Sequence, residues 1–405
     1  MSATRASRNL FIVTLSDGLS RFGDHFQMLG LLSLTYGLTG SPLATAAQMA
    51  VGMLPGILFA RWTGRLADRR NARLIVGLAN GLTALLTLVY ILLHSVPLIL
   101  ALNFMRATVL TFSRPAYARL MPELVGRERI LQANARRQTV IGVIELVGPV
   151  TAGWILDRIG ERWGFGFNAL SFILPALAML WVRPVEVVEP SGDGPVYGGS
   201  ALAFLRGRPS LLLLVLANGA FMIGMFTINS IFYPYTLQVL HGGAKALGAM
   251  TSAYFGATLL AGLIMERWGA RLRRPGLELW AYAAGGIVWI GYPVTASLPV
   301  ALGISVLDGL VYTGTGTLFE TRVQEEAPPE ALGRVYAVAR AVDLGGSVLG
   351  CIVGGLAATF WSVQGGFFVG IGLTLGLLGL LALQRRYRGV TEKGQRCIGE
   401  GGGSL

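Results

Sequence analysis

Several charged side chains lie inside long apolar stretches of this sequence. Asp17, Arg21 and Asp24 follow one another at intervals of four and three residues, so a helix would place them on one face. Other apolar stretches contain single charges, namely Arg106, Glu145, Asp308 and Asp343. A charge at the centre of a membrane helix costs about 2.5–3.5 kcal/mol on the insertion scale and is a functional-site candidate by default. An acid that is desolvated in one state and paired in another can take up and release a proton.

The composition indicates what positions these charges. Of the 405 residues, 53% are hydrophobic and only 13% are charged, and the mean hydropathy is +0.60. Soluble domains are about 25% charged. Apolar stretches of about 20 residues, long enough to cross a bilayer, recur along the whole chain. The N-terminus has no cleavable signal pattern, so we expect the first stretch to be a membrane span.

The apolar pattern predicts twelve spans in two halves. Those of the first half are residues 9–38, 43–62, 74–93, a stretch ending near 117, 130–156 and 163–182; those of the second are 210–240, 246–265, 277–295, 298–321, 332–360 and 366–385. Residues 183–209 are hydrophilic and read as a linker. The predicted fold is an all-α membrane protein with six-helix bundles over 1–182 and 210–388 and a disordered tail over 389–405.

The distribution of basic residues supports this count. The net charge is +12, and Lys and Arg concentrate in every second connection, as they do in cytoplasmic loops. Of the 33 basic residues, only Arg158, Arg162 and Lys245 fall on the other side, and Arg21 and Arg106 fall within spans. We therefore expect both termini in the cytoplasm and attribute the charge to topology rather than to nucleic-acid binding.

A basic loop recurs between the halves. Gly64, Asp68, Arg69 and Arg73 follow the second span, and Gly262, Glu266, Arg267 and Arg271 repeat their spacing after the eighth span, 198 residues later. Such self-similarity indicates a duplicated fold. Asn71 aligns with Gly269; both residue types enter the left-handed conformation readily, so we expect a tight turn at each.

The loop and several other motifs resemble a known superfamily. Residues 64–73 match the loop motif G-x-L-A-D-R-x-G-R-R of the major facilitator superfamily, except at Asn71 and Ala72. Gly148, Pro149 and Gly153 look like the helix-5 element of its proton-coupled antiporters, with Ala152 in place of one glycine. Residues 115–125, 132–135 and 167–172 are similar to the enterobactin-exporter and macrolide-efflux branch. The resemblance implies a monomeric exporter in the cell membrane, driven by protons.

In the resembled fold, helices 1, 4, 7 and 10 line a central cavity. Asp24, Arg106 and Asp308 lie on these helices, and together with Glu145, a charge within helix 5, they are our candidates for proton coupling. Arg106 matches the position of the helix-4 arginine that the antiporters associate with proton movement. The glycine expected one turn after it is absent. The alternative is a static ion-pair network that holds helices 1, 4 and 5 together.

Two further roles follow for the loops and the cavity. We expect Asp68 to accept hydrogen bonds from Arg73 or from the start of helix 11 and so to close a cytoplasmic gate; the alternative is that the arginines only fix topology. The substrate cavity should hold bulky apolar ligands. Its candidate residues are Phe26, Met28, Asn218, Met225, Asn229, Tyr233 and Tyr312, although packing or lipid contact is the commoner role of such side chains.

Other functions are less well supported. The sequence has no phosphate-binding G-x-x-x-x-G-K-[ST] motif, no H-E-x-x-H metal site and no G-x-S-x-G nucleophile, so we expect no ATP hydrolysis, no cofactor and no enzyme activity. The leading hypothesis is a proton-coupled exporter of amphipathic drugs or siderophore-like metabolites. A proton-linked nutrient importer, a lipid flippase and a non-transporting sensor remain alternatives.

Overall fold

The computed structural model describes residues 2–60, 62–63, 71–126, 129–182, 201–268 and 276–400. Within these ranges the chain consists of helices joined by short turns and contains no strand. Nine helical segments of this part are long and apolar enough to cross a membrane, and two shorter helices are also apolar. With the first helix, which has charges in its middle, they give the twelve predicted spans.

The first half contains six helices. They are α1 (Ser2–Thr39), α2 (Pro42–Leu58), α3 (Ala72–Val89), α4 (Val96–Val125), α5 (Ile130–Ile159) and α6 (Glu161–Trp181). A 3-10 turn, Tyr90–Leu92, extends α3. Gly126 and Gly160 end α4 and α5 with φ angles of 80° and 84°, a backbone region in which glycine is not strained.

The second half repeats this pattern. It contains α7 (Pro209–Asn229), α8 (Gly243–Trp268), α9 (Leu277–Val288), α10 (Leu298–Glu326), α11 (Pro329–Phe360) and α12 (Val363–Glu400). A short helix, Ala201–Arg206, precedes α7, and a 3-10 turn, Trp289–Gly291, extends α9. Because twelve spans are an even number, both chain ends lie on one side, here called the terminal face. The other side, where α1 ends and α2 begins, is the opposite face.

The fourth helix is longer than the sequence pattern predicts. A charged loop was expected from Arg119 to Arg129, but α4 continues to Val125. Leu120 and Leu124 are buried on one side of this extension, and Arg119 pairs with Glu123 at 3.3 Å along the helix. Since apolar contacts and an i,i+4 ion pair both stabilise a helix, the charges continue α4 rather than end it.

The seventh span is interrupted. After Asn229 the helix breaks, and it resumes as Phe232–Gln238. Pro234 explains the position of the break. Its ring would clash with the carbonyl of Ser230, four residues earlier, in a regular helix, and its nitrogen has no proton to donate to that carbonyl. The predicted continuous helix over 210–240 is therefore wrong at this point.

The expected turn at Asn71 needs correction. Asn71 has a φ of −64° rather than a left-handed conformation, and its side chain accepts a hydrogen bond from the amide of Leu74 at 3.2 Å, which makes it the N-cap of α3. Gly269 lies outside the described residues. The helix α12 extends to Glu400, and the disorder expected over residues 389–405 stays a prediction.

The two halves meet along α5 with α8 and α2 with α11. Small residues allow this approach: a Cβ added to Gly153 would lie 2.5 Å from the Ala244 carbonyl oxygen, and one added to Gly355 would lie 2.6 Å from the Ala46 methyl group. We call these contacts the glycine seam. Small residues at helix crossings are typical of membrane proteins, because they let backbones approach closely.

Candidate functional site

The charges of α1 join a chain of ion pairs that reaches α5. Asp17 contacts Arg137 at 2.8 Å and Arg21 at 3.4 Å. Arg21 in turn lies 3.7 Å from one oxygen of Glu145, and His25 lies 3.4 Å from the other. Two acids, two arginines and a histidine thus connect three successive turns of α1 to α5, so these two helices are held together electrostatically.

Asp24 belongs to a separate pair. It accepts a hydrogen bond from the guanidinium of Arg106 on α4. The Arg106 side chain is only 9% exposed, whereas that of Asp24 is 43% exposed. The guanidinium also lies 5.5 Å from the centre of the Phe172 ring on α6, a cation–π contact. A buried cation is therefore paired with a carboxylate that solvent can reach.

Neutral polar groups support the pair from α6. The Asn168 amide donates to the Gln27 side chain at 3.1 Å, and the Ser171 hydroxyl contacts Asn168. Gly23 lies against these two residues, since an added Cβ would come within 2.7 Å of the Ser171 Cβ. The glycine lets α1 and α6 approach closely, and the adjacent Asp24 is thereby held at the level of Arg106.

A cavity of about 630 Å³ opens beside these charges. All of its lining residues belong to the first half, from α1, α3, α4, α5 and α6. The charged part of the lining comprises Asp17, Arg21, Asp24, Arg114 and Arg137, and the apolar part includes Tyr117, Met121, Phe172 and Met179. Its size falls within the range of about 300–1,000 Å³ that is usual for small-molecule sites.

The acids of the second half have different partners. The indole of Trp289 donates to Asp308 at 2.9 Å, and the Tyr292 hydroxyl lies 3.5 Å from its other oxygen. Asp343 accepts from the Asn218 amide at 2.6 Å, and Asn218 accepts from Tyr282. No Lys or Arg forms an ion pair with Asp308 or Asp343 within the residues that the structure describes. The hydrogen-bond partners of Asp308 among the described residues are thus neutral groups of its own half.

The opposite face is closed by contacts between the halves. Tyr233 donates to Ser33 at 3.0 Å and packs its ring against that of Tyr36, which also accepts from Gln238. The amide of Leu43 donates to Thr359 at 3.2 Å. Tyr233 was a candidate for the substrate cavity, and the structure instead places it in this closure. The helix-7 break lies next to it.

The other cavity candidates lie apart from the cavity of the first half. Phe26 is buried in an apolar core and Met28 is exposed on the same helix. Asn218 is hydrogen-bonded to Asp343. Like Asn218, the candidates Met225, Asn229 and Tyr312 belong to the second half. None of the seven candidates contributes to the 630 Å³ cavity. Their predicted role in a central cavity lined by both halves stays a prediction, because the sequence does not show which face of each helix lines that cavity.

The motif of α5 lies in the glycine seam. The Pro149 carbonyl packs against Gly248, and Gly153 packs against Ala244 of α8. A Cβ on Gly148 would lie 3.0 Å from the Nε2 atom of His25, so that glycine admits the histidine to the ion-pair chain. The three residues therefore serve contact between helices, and α5 remains one continuous helix through Pro149.

The loop residues are described only in part. Gly64, Asp68, Arg69 and Arg271 lie outside the described residues, whereas Glu266 and Arg267 are exposed near the end of α8. Arg73 donates to the carbonyl of Val182 at 2.7 Å, which ties the start of α3 to the end of α6. The expected contact of Arg73 with Asp68 stays a prediction.

Sequence reasoning missed several members of the site. Arg114 and Arg137 were counted only as topology signals, yet both line the cavity. Gln27 and Asn168 were not predicted to hydrogen-bond to each other, because a neutral amide in an apolar stretch stands out less than a charged residue does. The spacing of eight residues between Arg137 and Glu145 puts both on one stripe of a helix, and that signal could have found Arg137.

Solved structures with the same architecture place these features in context. A bacterial homologue of the human lysosomal transporter Spinster, in an inward-facing and unoccupied conformation, aligns with a TM-score of 0.76 over 94% of this chain and 97% of that one at 15% identity. The nucleoside transporter NupG aligns with a TM-score of 0.72 at 13% identity over 93% of this chain and 98% of that one. The chain thus has the fold of these two solved structures, two six-helix bundles.

The chain belongs to the transmembrane secretion effector family, whose model matches residues 4–395. Among curated proteins it is similar to the enterobactin exporter EntS of Salmonella choleraesuis strain SC-B67, with 26% identity over 393 residues, 93% of this chain and 92% of that protein. The enterobactin exporter EntS of Escherichia coli O139:H28 is 26% identical over 396 residues, again 93% of this chain and 91% of that protein. The predicted superfamily and branch are confirmed, and the chain is a multi-pass membrane transporter rather than an enzyme.

Proposed function

We propose that this protein exports amphipathic small molecules of the siderophore or drug type by alternating access, with protons moving inward. The observation that carries the proposal is the Asp24–Arg106 pair, a buried cation whose carboxylate partner borders a cavity of drug-like size. The similarity to enterobactin exporters supports export as the direction. The terminal face would then be cytoplasmic, and the carrier would act as a monomer that needs no ATP.

Coupling follows from competition for one carboxylate. When Asp24 is ionised, it neutralises Arg106; when a proton binds Asp24, the buried guanidinium loses its partner and must find another. A conformational change that hydrates Arg106 or brings an anion to it compensates for that loss. Glu145, shared by Arg21 and His25, is a second carboxylate of this type. Asp308 is a candidate of another kind, since its described partners are neutral.

The closed opposite face fits one stage of this cycle. With α5 against α8 and α2 against α11, the cavity of the first half lies on the terminal-face side of the Asp24–Arg106 pair. A substrate could then enter from the cytoplasm, and separation of the glycine seam would release it on the other side. The basic loops with Asp68 and Glu266 would close the terminal face in that second state.

Transport in reconstituted vesicles tests the proposal. The purified protein is reconstituted so that its terminal face points to the medium and export leads into the vesicle lumen. When protons flow out of the lumen, these vesicles should take up a catecholate siderophore or a dye from the medium. A protonophore should abolish this uptake. Asp24→Asn should reduce the initial rate by at least about tenfold, equivalent to about 1.4 kcal/mol.

Asp157→Asn is the matched control, because this acid lies near the end of α5 on the opposite face and has no part in the ion pairs described above. Equal rates for wild type and Asp24→Asn would refute the coupling role of Asp24. Uptake that a protonophore leaves unchanged would refute proton coupling altogether. Movement of substrate only in the opposite direction would favour the importer.

A further inference from the structure

Two arginines lie against one aromatic ring where the second half meets the terminal face. The ring is that of Phe204 in the short helix Ala201–Arg206, and the Cζ atom of Arg208 lies 4.5 Å from its centre. The Cζ atom of Arg334, on α11, lies 5.8 Å from the same centre. Because each guanidinium makes a cation–π contact with this ring, two positive charges from different elements are brought to one place.

The ring has a fixed position because its helix packs on three spans. Leu205, next to Phe204, is fully buried among the terminal-face ends of α7, α10 and α11. Arg208 donates a hydrogen bond to the main-chain carbonyl of Glu326, the last residue of α10, at 3.0 Å. The ring and one arginine are therefore positioned before a ligand binds, so binding loses little conformational entropy.

No carboxylate forms an ion pair with either arginine in the part of the chain that the structure describes. Arg208 contacts a neutral carbonyl, and the Nε atom of Arg334 is buried there without a hydrogen-bond partner. The Glu326 carboxylate instead accepts from the Ser210 hydroxyl at 2.5 Å. Two guanidinium groups with donors still to be used gain free energy from an anion that offers several oxygens.

The depth of these arginines relative to the apolar spans indicates where such an anion comes from. The apolar stretch of α7 begins at Pro209, directly after Arg208, and that of α11 begins at Ala331, three residues before Arg334. Both guanidinium groups therefore belong to the boundary between the hydrocarbon core and the headgroups, and Arg206 adds an exposed positive charge at the end of the short helix. Phospholipid phosphates lie at this depth, and basic pockets between the ends of membrane helices bind acidic headgroups.

We propose that Arg208, Arg334 and the Phe204 ring form a binding site for the phosphate of an anionic phospholipid in the leaflet at the terminal face. The two guanidinium groups would bind the phosphate oxygens, for which their planar forks are suited. The bound lipid would fasten the segment that precedes α7 to α11. This site does not depend on the export function, on the direction of transport or on the cavity of the first half.

Native mass spectrometry of the full chain tests this site. The protein is titrated in detergent with phosphatidylglycerol, which is anionic, or with phosphatidylcholine of the same acyl chains, which has no net charge. The Kd for phosphatidylglycerol should be the lower of the two. Arg208→Gln and Arg334→Gln should each raise it about fivefold, equivalent to about 1 kcal/mol for one arginine near a lipid surface, and should leave the Kd for phosphatidylcholine unchanged.

Two comparisons control for folding and for net charge. Arg334→Gln is the decisive variant, because its Nε atom has no described hydrogen bond to lose, whereas Arg208→Gln also loses its bond to α10. Arg158→Gln removes the same charge at the opposite-face end of α5, where the guanidinium lies 3.7 Å from the centre of the Trp154 ring, and should leave both lipids unaffected. Equal affinity of the wild type for both lipids, or an equal loss in Arg158→Gln and Arg334→Gln, would overturn the lipid site.

Inorganic phosphate distinguishes a lipid from a soluble anion. Equilibrium dialysis of the full chain in phosphatidylcholine nanodiscs against radiolabelled inorganic phosphate should show no binding that depends on Arg334, because free phosphate lacks the acyl chains that hold a lipid at this depth. Phosphate binding that Arg334→Gln abolishes would assign the two arginines to a soluble anion and overturn the lipid site.

Discussion

The two halves surround the acids within their spans with different groups. In the first half, Asp17, Asp24 and Glu145 each contact an arginine. In the second half, Asp308 and Asp343 are held by an indole and an amide. The fold is duplicated, but its electrostatics are not. In the proposed function, charge transfer and substrate binding would therefore concentrate in the first half, whereas Asp308 and Asp343 would contribute contacts with neutral groups.

The apolar cores differ in the same way. The largest core of the second half is aromatic: the Phe221 ring stacks on Trp289 at 5.1 Å, and Tyr235 and Phe367 pack beside them. The core near the terminal face of the first half buries mainly aliphatic side chains such as Leu120 and Leu124. Aromatic rings with few rotamers give a stiff core, and the Trp289 indole and the Tyr292 hydroxyl also donate to Asp308.

Removal of Arg106 should have the largest effect. Arg106→Gln takes away the cation that neutralises Asp24, and we expect at least about a tenfold loss of transport together with about 2–3 kcal/mol of stability, below the usual range for buried pairs because Asp24 is partly exposed. Stability can be followed by the reaction of a thiol dye with Cys351, which is buried in the folded protein, in a Cys397→Ser background.

The double variant Asp24→Asn with Arg106→Gln distinguishes structure from function. It should recover most of the lost stability, because no charge is left unpaired, but it should not recover transport. Recovery of both would mean that the pair is purely structural. The ion pairs of the first half would then not distinguish it in function from the second half.

Neutralising Asp308 should have a smaller effect. Asp308→Asn retains one acceptor for the Trp289 indole, so we expect a stability change of about 1 kcal/mol or less and a two- to threefold slower proton flux, roughly the effect of one hydrogen bond. Substrate-induced proton flux in vesicles provides the measurement, with Asp24→Asn alongside. A loss for Asp308→Asn as large as that for Asp24→Asn would contradict the division of roles between the halves.

The starts of α3 and α9 should show the smallest difference. Asn71 caps α3 through its side chain, whereas Gly276 precedes α9 with a φ of 87° and no side-chain cap. We expect Asn71→Ala to cost about 1 kcal/mol and Asn71→Ser to cost almost nothing. At the other site, Gly276→Ala should cost about 1 kcal/mol from backbone strain, and Gly276→Asn should cost less. The unfolding midpoints of the four variants, measured with the thiol dye, would show whether α3 depends on a side-chain cap and α9 on a residue that tolerates positive φ.

Much of the architecture could be predicted from the sequence. Stretches of about 20 apolar residues and the alternation of basic loops gave the twelve spans, since both reflect the bilayer rather than particular contacts. The end of α4 could not be predicted in this way, because Arg119 and Glu123 pair with each other within a helix. Pro234, which causes the break after α7, is visible in the sequence. A hydropathy pattern does not show it, because hydropathy takes no account of a missing backbone N–H donor.

The site was predictable as a list of residues but not as an arrangement. Charge within apolar stretches pointed to Asp24, Arg106 and Glu145. How they pair within the first half follows only from the packing of α1 against α4, α5 and α6. Arg114 and Arg137 resembled the other basic residues of the terminal face. Their role depends on which side of a helix faces the cavity, and that orientation comes from tertiary packing.

The glycine seam has a consequence for the speed of the carrier. Where Gly153 meets the Ala244 carbonyl and Gly248 meets that of Pro149, main chains touch directly. At these two positions the helices can part and meet again without a change of side-chain rotamer, which lowers the barrier to their separation. In the proposed cycle a colder bilayer should then slow this carrier less than one whose halves are joined at these positions by bulky side chains.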